Sequence, residues 1–562
     1  MAQHEICNEE NAPFVEELIF RDGQVIPCAP GEITLLVGPN NAGKTYLLKT
    51  IRALLYGKSP DRKDYSDSVL ESLSVEWLFT GARGEQMLLE RMEKYRGGDS
   101  FYDLPRKASS LTSNFVPEGS VYNALKPGAA LGELAELFVT FDDVGNRLDE
   151  TKPQRQAAPT DQQSLIQQAW DRPSVFADFS ERFLRVFGEE TSYYNIGWGE
   201  IGLLLAPALH SASTLSEPIS EMTKQHMEES PKLWEQGYGM RSVAGLLLRI
   251  CAGESSIVLI DEPEAFLHPP QASALGSVLA DVASLKSKQI FVATHDRNFI
   301  ASLIRSSKTP LQIVRLSRQG DLPKAELLNS ESIRSAQRAS EIRFTPFLDS
   351  LFADFTILVE NERDAVFYDE ALRSFAEDSG DPEIRSLPDR VLFLSGGGFP
   401  GVPKLARSLR EMGLKVRTIA DFDVLFNDNL PHLVRALARE KDVEVVEELM
   451  NDLKYADKKL ADSTGQKTAG NKPASKNIGI YSADTEFNEL AKRALGRLDD
   501  IGIHLVDVGE LEDLFNPTSL PKKGGYKLAQ ALADEVYALE PTQRLIHRVI
   551  TNALGASSST SS

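Results

Sequence analysis

Apolar positions in this chain fall into short runs of strand-like or helical spacing, and several runs stop abruptly at a glycine or an acid. Around the turn signal Asp22-Gly23, residues 14–30 alternate apolar and polar groups (Val15, Leu18, Phe20, Val25, Ile26), which predicts a β-hairpin. Ile33, Leu35, Leu36 and Val37 form a run of strand length that breaks at Gly38, and Leu47, Leu48 and Ile51 follow at helical spacing. From 51 to 230 the pattern is less regular. Residues 70–81, 85–95 and 136–143 read as strands, whereas 102–130 and 150–164 are rich in Pro, Ser, Gly and Gln, so the stretch reads as a partly antiparallel lobe with surface insertions. Regularity returns with a helical pattern from Val243 to Cys251 and with two apolar runs, 256–260 and 289–293, of the kind buried in parallel sheets. Further on, 355–359, 391–394 and 414–420 read as strands separated by helical stretches at 365–375 and 402–412, an alternation that predicts a small parallel sheet.

The points where runs stop carry the candidate chemistry. Gly38-Pro-Asn-Asn-Ala-Gly43-Lys44-Thr45 is a complete P-loop between a strand and a helix. Gly38, Asn40, Asn41 and Gly43 let backbone N–H groups curl around a phosphate chain at a helix N-terminus. Lys44 reaches the β and γ phosphates and the Thr45 hydroxyl takes one Mg²⁺ position, so ATP and Mg²⁺ are the expected cofactors. The run at 256–260 ends in Asp261-Glu262 and that at 289–293 ends in Thr294-His295-Asp296, which brings acids and a histidine to the C-terminal edge of one sheet. There Asp261 is expected to hold Mg²⁺, Glu262 to polarise the attacking water and His295 to touch the γ-phosphate. Gln236-Gly237-Tyr238-Gly239 opens the 243–251 helix pattern; Gly239 would suit a second phosphate contact across a dimer interface, a plain helix cap being the alternative. Gln86, Gln154 and Gln162 are unranked candidates for a γ-phosphate sensor.

A second constellation lies downstream of a mixed, charged connector at 305–350. The 355–359 run ends in Glu360-Asn-Glu-Arg-Asp364, and the 414–420 run in Asp421-Phe422-Asp423. Carboxylates gathered past strand ends repel one another unless cations neutralise them, and hard oxygen ligands select Mg²⁺ or Mn²⁺, which support phosphodiester cleavage. Residues 501–515 read as a further strand ending in Glu510, Glu512 and Asp513, with a charged helix start as the alternative. Polar, Lys-rich 456–477 reads as a mobile loop and the Ser-rich end as a frayed tail.

Composition narrows the classes. A chain of 562 residues exceeds one core, suggesting about three or four domains. With 42% hydrophobic and 25% charged residues it reads as globular, without an 18-residue apolar span or a signal peptide; a cytoplasmic location and no membrane partner are expected. Cys7, Cys28 and Cys251 lack CxxC spacing, which argues against disulfides and thiolate zinc. A net charge of −21 argues against coating nucleic acid by bulk attraction, while leaving local or metal-assisted contacts with DNA open.

Asp261-Glu-Pro-Glu-Ala-Phe-Leu-His-Pro269 resembles the DEPExxLHP form of ABC-type ATPases in the OLD (overcoming lysogenization defect) and SMC/RecF-like groups. The usual serine-led signature is replaced here by Gln236-Gly-Tyr-Gly239, and no sustained heptad run predicts a coiled-coil arm. The downstream acids resemble the TOPRIM pattern, with Glu360 and Asp364 on its first motif and Asp421 and Asp423 on its second. Asn361 replaces the usual glycine, and Leu425 stands where many topoisomerases and primases have a third acid. The resemblance implies a remaining ligand further along, Glu512, and a downstream lysine, Lys527 or Lys523. The expected fold is therefore α/β: an ABC-type (SMC/RecF-like) P-loop ATPase domain with an antiparallel lobe (1–315), a connector (316–350), a small parallel-sheet TOPRIM domain (351–545) and a tail (546–562). The resemblance implies an ATP-gated, metal-dependent DNA endonuclease of anti-phage defence, homodimeric or larger, with a possible second defence subunit. The alternative is an ATPase sensor or scaffold whose TOPRIM domain is not a nuclease.

Overall fold

The computed structural model describes residues 11–39, 41–58, 68–98, 100–104, 115–155, 163–194, 199–207, 221–286, 288–308, 310–319, 322–338, 347–464, 484–507, 532 and 535–555. Two compact units divide at Leu327/Leu328.

In the first unit, β1 (Pro13–Phe20) and β2 (Val25–Pro27) form the expected hairpin around Gly23, and β4 (Leu70–Trp77) pairs antiparallel with the other edge of β1. Between them in sequence runs β3 (Ile33–Val37), every residue of which is buried. A strand covered on both faces belongs inside a parallel sheet. Three short strands, β5 (Arg96–Gly98), β6 (Phe101–Asp103) and β7 (Phe115–Pro117), make a small antiparallel sheet; β9 (Gln154–Arg155), β10 (Thr191–Tyr194) and β11 (Glu200–Leu205) make another.

The central sheet is six-stranded, in the order β15-β14-β3-β13-β12-β8, built from β8 (Val139–Asp142), β12 (Ile257–Asp261), β13 (Gln289–Ala293), β14 (Leu311–Gln319) and β15 (Leu322–Leu328) with β3. The four pairings from β14 through to β8 are all parallel, so the ends of β3, β12 and β13 lie on one edge. Buried Gln289 joins this sheet to β1: its side chain accepts from Val15 N and donates to Val15 O, both at 2.8 Å.

Several expectations are corrected. Residues 85–95 are not a strand: 85–92 belong to the helix Gly81–Met92, which buries Gly84, Leu88 and Met92 at intervals of four, and Glu93–Tyr95 form a 3-10 turn. Residues 136–143 divide into a helical turn, Ala135–Phe138, and β8, which joins the central sheet rather than the antiparallel lobe. The expected connector from 316 contains the end of β14 and all of β15, both strands of that sheet.

The second unit centres on a four-stranded parallel sheet, order β17-β16-β18-β19, from β16 (Phe355–Val359), β17 (Val391–Ser395), β18 (Val416–Ala420) and β19 (Ile503–Leu505). The helices Glu362–Asp378 and Glu540–Gly555 share one apolar core through Phe367, Leu372, Ile546 and Val549, and Val402–Glu411 packs on β16 and β18. Residues 546–555 are thus part of a packed helix and not a tail. Arg548 Nη2 donates to Leu505 O at 2.6 Å, and Asn552 Nδ2 to Asp499 O at 2.8 Å, fixing that helix beside β19. The first nine residues of the expected 456–477 loop are the end of the helix Glu440–Thr464, where Lys459 pairs with Glu486 at 3.0 Å; residues 465–477 lie outside the described residues.

Candidate functional site

β3 delivers the chain to Gly38 (φ 144°), after which Asn41 (φ 63°) and Gly43 (φ 92°) also take positive φ. A side chain at Gly38 would place its Cβ 2.2 Å from Leu316 O, so backbone freedom and close approach both demand glycine there. Gly43 caps the helix Lys44–Leu55 in the left-handed conformation. Asn40 lies outside the described residues. Lys44 is 8% exposed, and its Nζ folds back on the loop, donating to Gly38 O at 2.8 Å and Pro39 O at 2.9 Å. Burial lowers its pKa, and Glu262, Glu264 and Asp261 nearby oppose that shift.

Thr45 Oγ1 donates to Asp261 Oδ1 at 3.0 Å, linking the P-loop helix to the end of β12. Burial raises the Asp261 pKa against the stabilising Thr45 bond. A hydroxyl beside a carboxylate, next to a lysine ammonium satisfied only by loop carbonyls, is an oxygen-rich pair suited to a hard divalent cation next to a phosphate chain. Thr45 and Asp261 therefore fit Mg²⁺ with nucleotide.

Glu262 follows with φ 45°, a backbone conformation that costs a non-glycine residue on the order of 1 kcal/mol. His295 Nδ1, past the end of β13, lies 3.4 Å from Glu262 Oε1 and 3.6 Å from Glu264 Oε1. Glu264 is buried; its Oε1 accepts from Thr294 Oγ1 at 2.7 Å and from His295 N at 3.3 Å, and burial raises its pKa. Lys44, Thr45, Asp261, Glu262 and His295 thus meet at one sheet edge.

Sequence reasoning missed Arg147, on the helix Val144–Glu150 that follows β8. Its side chain is fully buried, pairs with the Asp142 carboxylate and donates to the backbone carbonyls of Asp261 and Glu262, the latter at 2.9 Å. A lone arginine in Asp-Asp-Val-Gly-Asn-Arg carries no motif; the only sequence signal was the acid at the end of an apolar run.

Gly239 lies in the first turn of the helix Tyr238–Ala252, where a Cβ would stand 2.6 Å from Phe266 O, so close packing already accounts for this glycine. Beside it Tyr238 and Phe266, exposed at 58% and 60%, face each other with ring centroids 5.5 Å apart. Of the sensor candidates, Gln86 lies on an exposed helix face, bonded to Glu90 at 2.9 Å, Gln154 lies in β9, and Gln162 is outside the described residues.

On the second unit, Val359 of β16 pairs with Ser395 of β17, and Leu358 with Thr418 of β18, so Glu360 and Asp421 both follow the ends of adjacent strands. The glycine loop after β17 closes on Glu360, whose carbonyl accepts from Gly398 N at 2.7 Å and Ser395 Oγ at 3.3 Å. Asp421 begins the 3-10 turn Phe422–Phe426, which carries Asp423. Asp364 Oδ2 accepts from Asn361 N at 3.0 Å, which makes it part of the N-terminal cap of the helix Glu362–Asp378. Asn361 has φ −128°, so its replacement of glycine meets no left-handed demand. Among the described residues no three His, Cys, Asp or Glu side chains form a group that could hold a metal ion. Glu512, Lys523 and Lys527 lie outside the described residues. Among the described residues no helix is long and apolar enough to cross a membrane.

Two family models match: "AAA domain, putative AbiEii toxin, Type IV TA system" over residues 141–301 and "AAA domain" over 18–109. No curated protein matches. Solved structures similar to the chain include an Smc head bound to the C-terminal winged-helix domain of ScpA (14% identity, 57% of this chain and 99% of that one, TM-score 0.34). The SMC head domain from Thermotoga maritima is also similar (14%, 57% and 98%, TM-score 0.29). So is an Smc head with an extended coiled coil bound to the C-terminal domain of ScpA derived from Pyrococcus furiosus (13%, 57% and 98%, TM-score 0.33). With the P-loop inside the 18–109 match and Asp261, Glu262 and His295 inside the 141–301 match, the chain carries an AAA-type, nucleotide-binding ATPase domain.

Proposed function

We propose that the protein is an ATP-hydrolysing, OLD-type endonuclease in which the ATPase domain gates phosphodiester cleavage by a TOPRIM-like second unit. The hydrogen bond between Thr45 and Asp261 carries the ATPase half: it joins the P-loop helix to the neighbouring acid pair where a nucleotide's phosphates would lie. Lys44 leaves the loop carbonyls for the β and γ phosphates, Glu262 orients and polarises the attacking water, and His295 stands beside it to contact the γ-phosphate. Thr45 and Asp261 would hold Mg²⁺, which would supply charge neutralisation to the phosphate chain.

The nuclease half is supported by the placement of Glu360, Asp421 and Asp423 past the ends of adjacent parallel strands. Completion by Mg²⁺ or Mn²⁺ and by Glu512 belongs to the proposal, as does a charge-stabilising Lys527. DNA is the proposed substrate, anti-phage defence the proposed setting and the cytoplasm the proposed location, with a second defence subunit as a further partner. Exposed Tyr238 and Phe266 next to Gly239 support a homodimer that closes over the nucleotide. A sensor or scaffold without nuclease activity is the second reading, favoured by the bond that commits Asp364 to capping its own helix.

Incubating the protein with supercoiled plasmid and linear DNA, in Mg²⁺ or Mn²⁺ with and without ATP, separates the two. Cleavage by wild type that falls at least about 100-fold in Asp421→Ala is the expected outcome. No cleavage under any condition, with ATP turnover intact, would replace it with the sensor reading.

A further inference from the structure

Arg147 is buried to 0% exposure and is the largest fully buried side chain among the described residues. Its guanidinium reaches three elements. Nε and Nη2 engage Asp142 at the end of β8; Nη2 and Nη1 donate to the carbonyls of Asp261 and Glu262 past the end of β12; Nη1 lies 3.4 Å from Ser242 Oγ in the helix Tyr238–Ala252. That helix is tied to the one bearing Arg147 by further contacts. Arg241 Nη2 donates to Leu148 O at 3.1 Å, Arg249 Nη2 donates to Glu150 Oε1 at 2.7 Å, and a Cβ on Gly245 would stand 2.2 Å from Arg147 O.

Of the two carbonyls it holds, one belongs to Glu262, whose positive φ has no glycine to relieve it. A planar guanidinium with five donors in fixed directions can hold two successive carbonyls and a carboxylate at once, whereas a lysine ammonium cannot reproduce the fork. We propose that Arg147 is a positioning residue for ATP hydrolysis: it fixes the strained Glu262 backbone so that the carboxylate faces the attacking water, and links that geometry to the helix starting at Gly237-Tyr238-Gly239. The inference rests on the assignment of Glu262 above. The hydrogen bonds of the fully buried Arg147 side chain run to Asp142, Ser242 and the carbonyls of Asp261 and Glu262 and not to the P-loop, so its loss acts on turnover through the Glu262 backbone and leaves the P-loop contacts that bind nucleotide in place.

The test is a double-mutant cycle on steady-state ATP hydrolysis by the full chain, with binding of a fluorescent ATP analogue and thermal unfolding measured on each variant. Glu262→Gln is expected to lower kcat about 100-fold or more with analogue binding retained; an unchanged kcat would overturn the assignment of Glu262 itself. Arg147→Lys is expected to lower kcat about tenfold, with KM and analogue affinity within about twofold, and to have no further effect in the Glu262→Gln background. An effect that multiplies with Glu262→Gln, or one confined to KM, would overturn the inference while sparing the site assignment. Should Arg147→Lys not fold, the same cycle with the isosteric Asp142→Asn, which releases the guanidinium from its carboxylate, decides it by the same criteria.

Discussion

His504 occupies β19 with no exposed surface, its Nδ1 2.7 Å from Asp499 Oδ1 and its Nε2 buried without a hydrogen-bond partner. Burial lowers its pKa most strongly; Asp499 opposes the shift, and Arg548 and Arg417 reinforce it. The folded histidine therefore binds a proton less readily than the unfolded one. Its contribution to stability is present above the ordinary histidine range and is lost as pH falls through and below about 6.5. Thermal unfolding followed from pH 7.5 to 5.5 should show the midpoint falling, and His504→Gln should flatten that slope; an unchanged slope would contradict the assignment. At this scale the P-loop residues were legible because glycine at Gly38 and Gly43, lysine and threonine are each required by a local backbone or phosphate geometry. Arg147 was not, since a charge becomes buried only through partners distant in sequence such as Asp261 and Ser242.

Elements whose apolar runs end at the candidate acids or at His295, β12, β13, β16 and β18, were read close to their observed bounds, because a largely buried strand leaves a nearly uninterrupted apolar signature. Gly81–Met92 was misread because Met87-Leu88-Leu89 imitates such a run, although the buried positions, Gly84, Leu88 and Met92, repeat every four residues. The helix Glu540–Gly555 carries the same kind of signal in Ile546, Val549, Ile550 and Ala553. The contact between Tyr238–Ala252 and Val144–Glu150 depends on Gly245, where no side chain fits against Arg147 O. Gly245→Ala should force the helices apart and lower stability by about 1–3 kcal/mol, read as a shift in the urea midpoint at constant slope; a wild-type midpoint would show that the interface is more yielding than described.

For the whole molecule, the first unit unites a P-loop, an acid pair and a histidine on one parallel-sheet edge, and the second sets its own acids past the strand ends of a separate parallel sheet. The ATPase edge was legible as a constellation because three motifs terminate adjacent or near-adjacent strands. The second edge was legible only as acids placed past strand ends of a small parallel sheet, since side-chain convergence depends on turns such as Phe422–Phe426 that no periodicity encodes. ATP turnover by wild type and Lys44→Ala, measured with saturating Mg²⁺, addresses the central claim most directly. Saturable hydrolysis that drops at least about 100-fold in Lys44→Ala is the expected result; hydrolysis undiminished by that change would contradict the account.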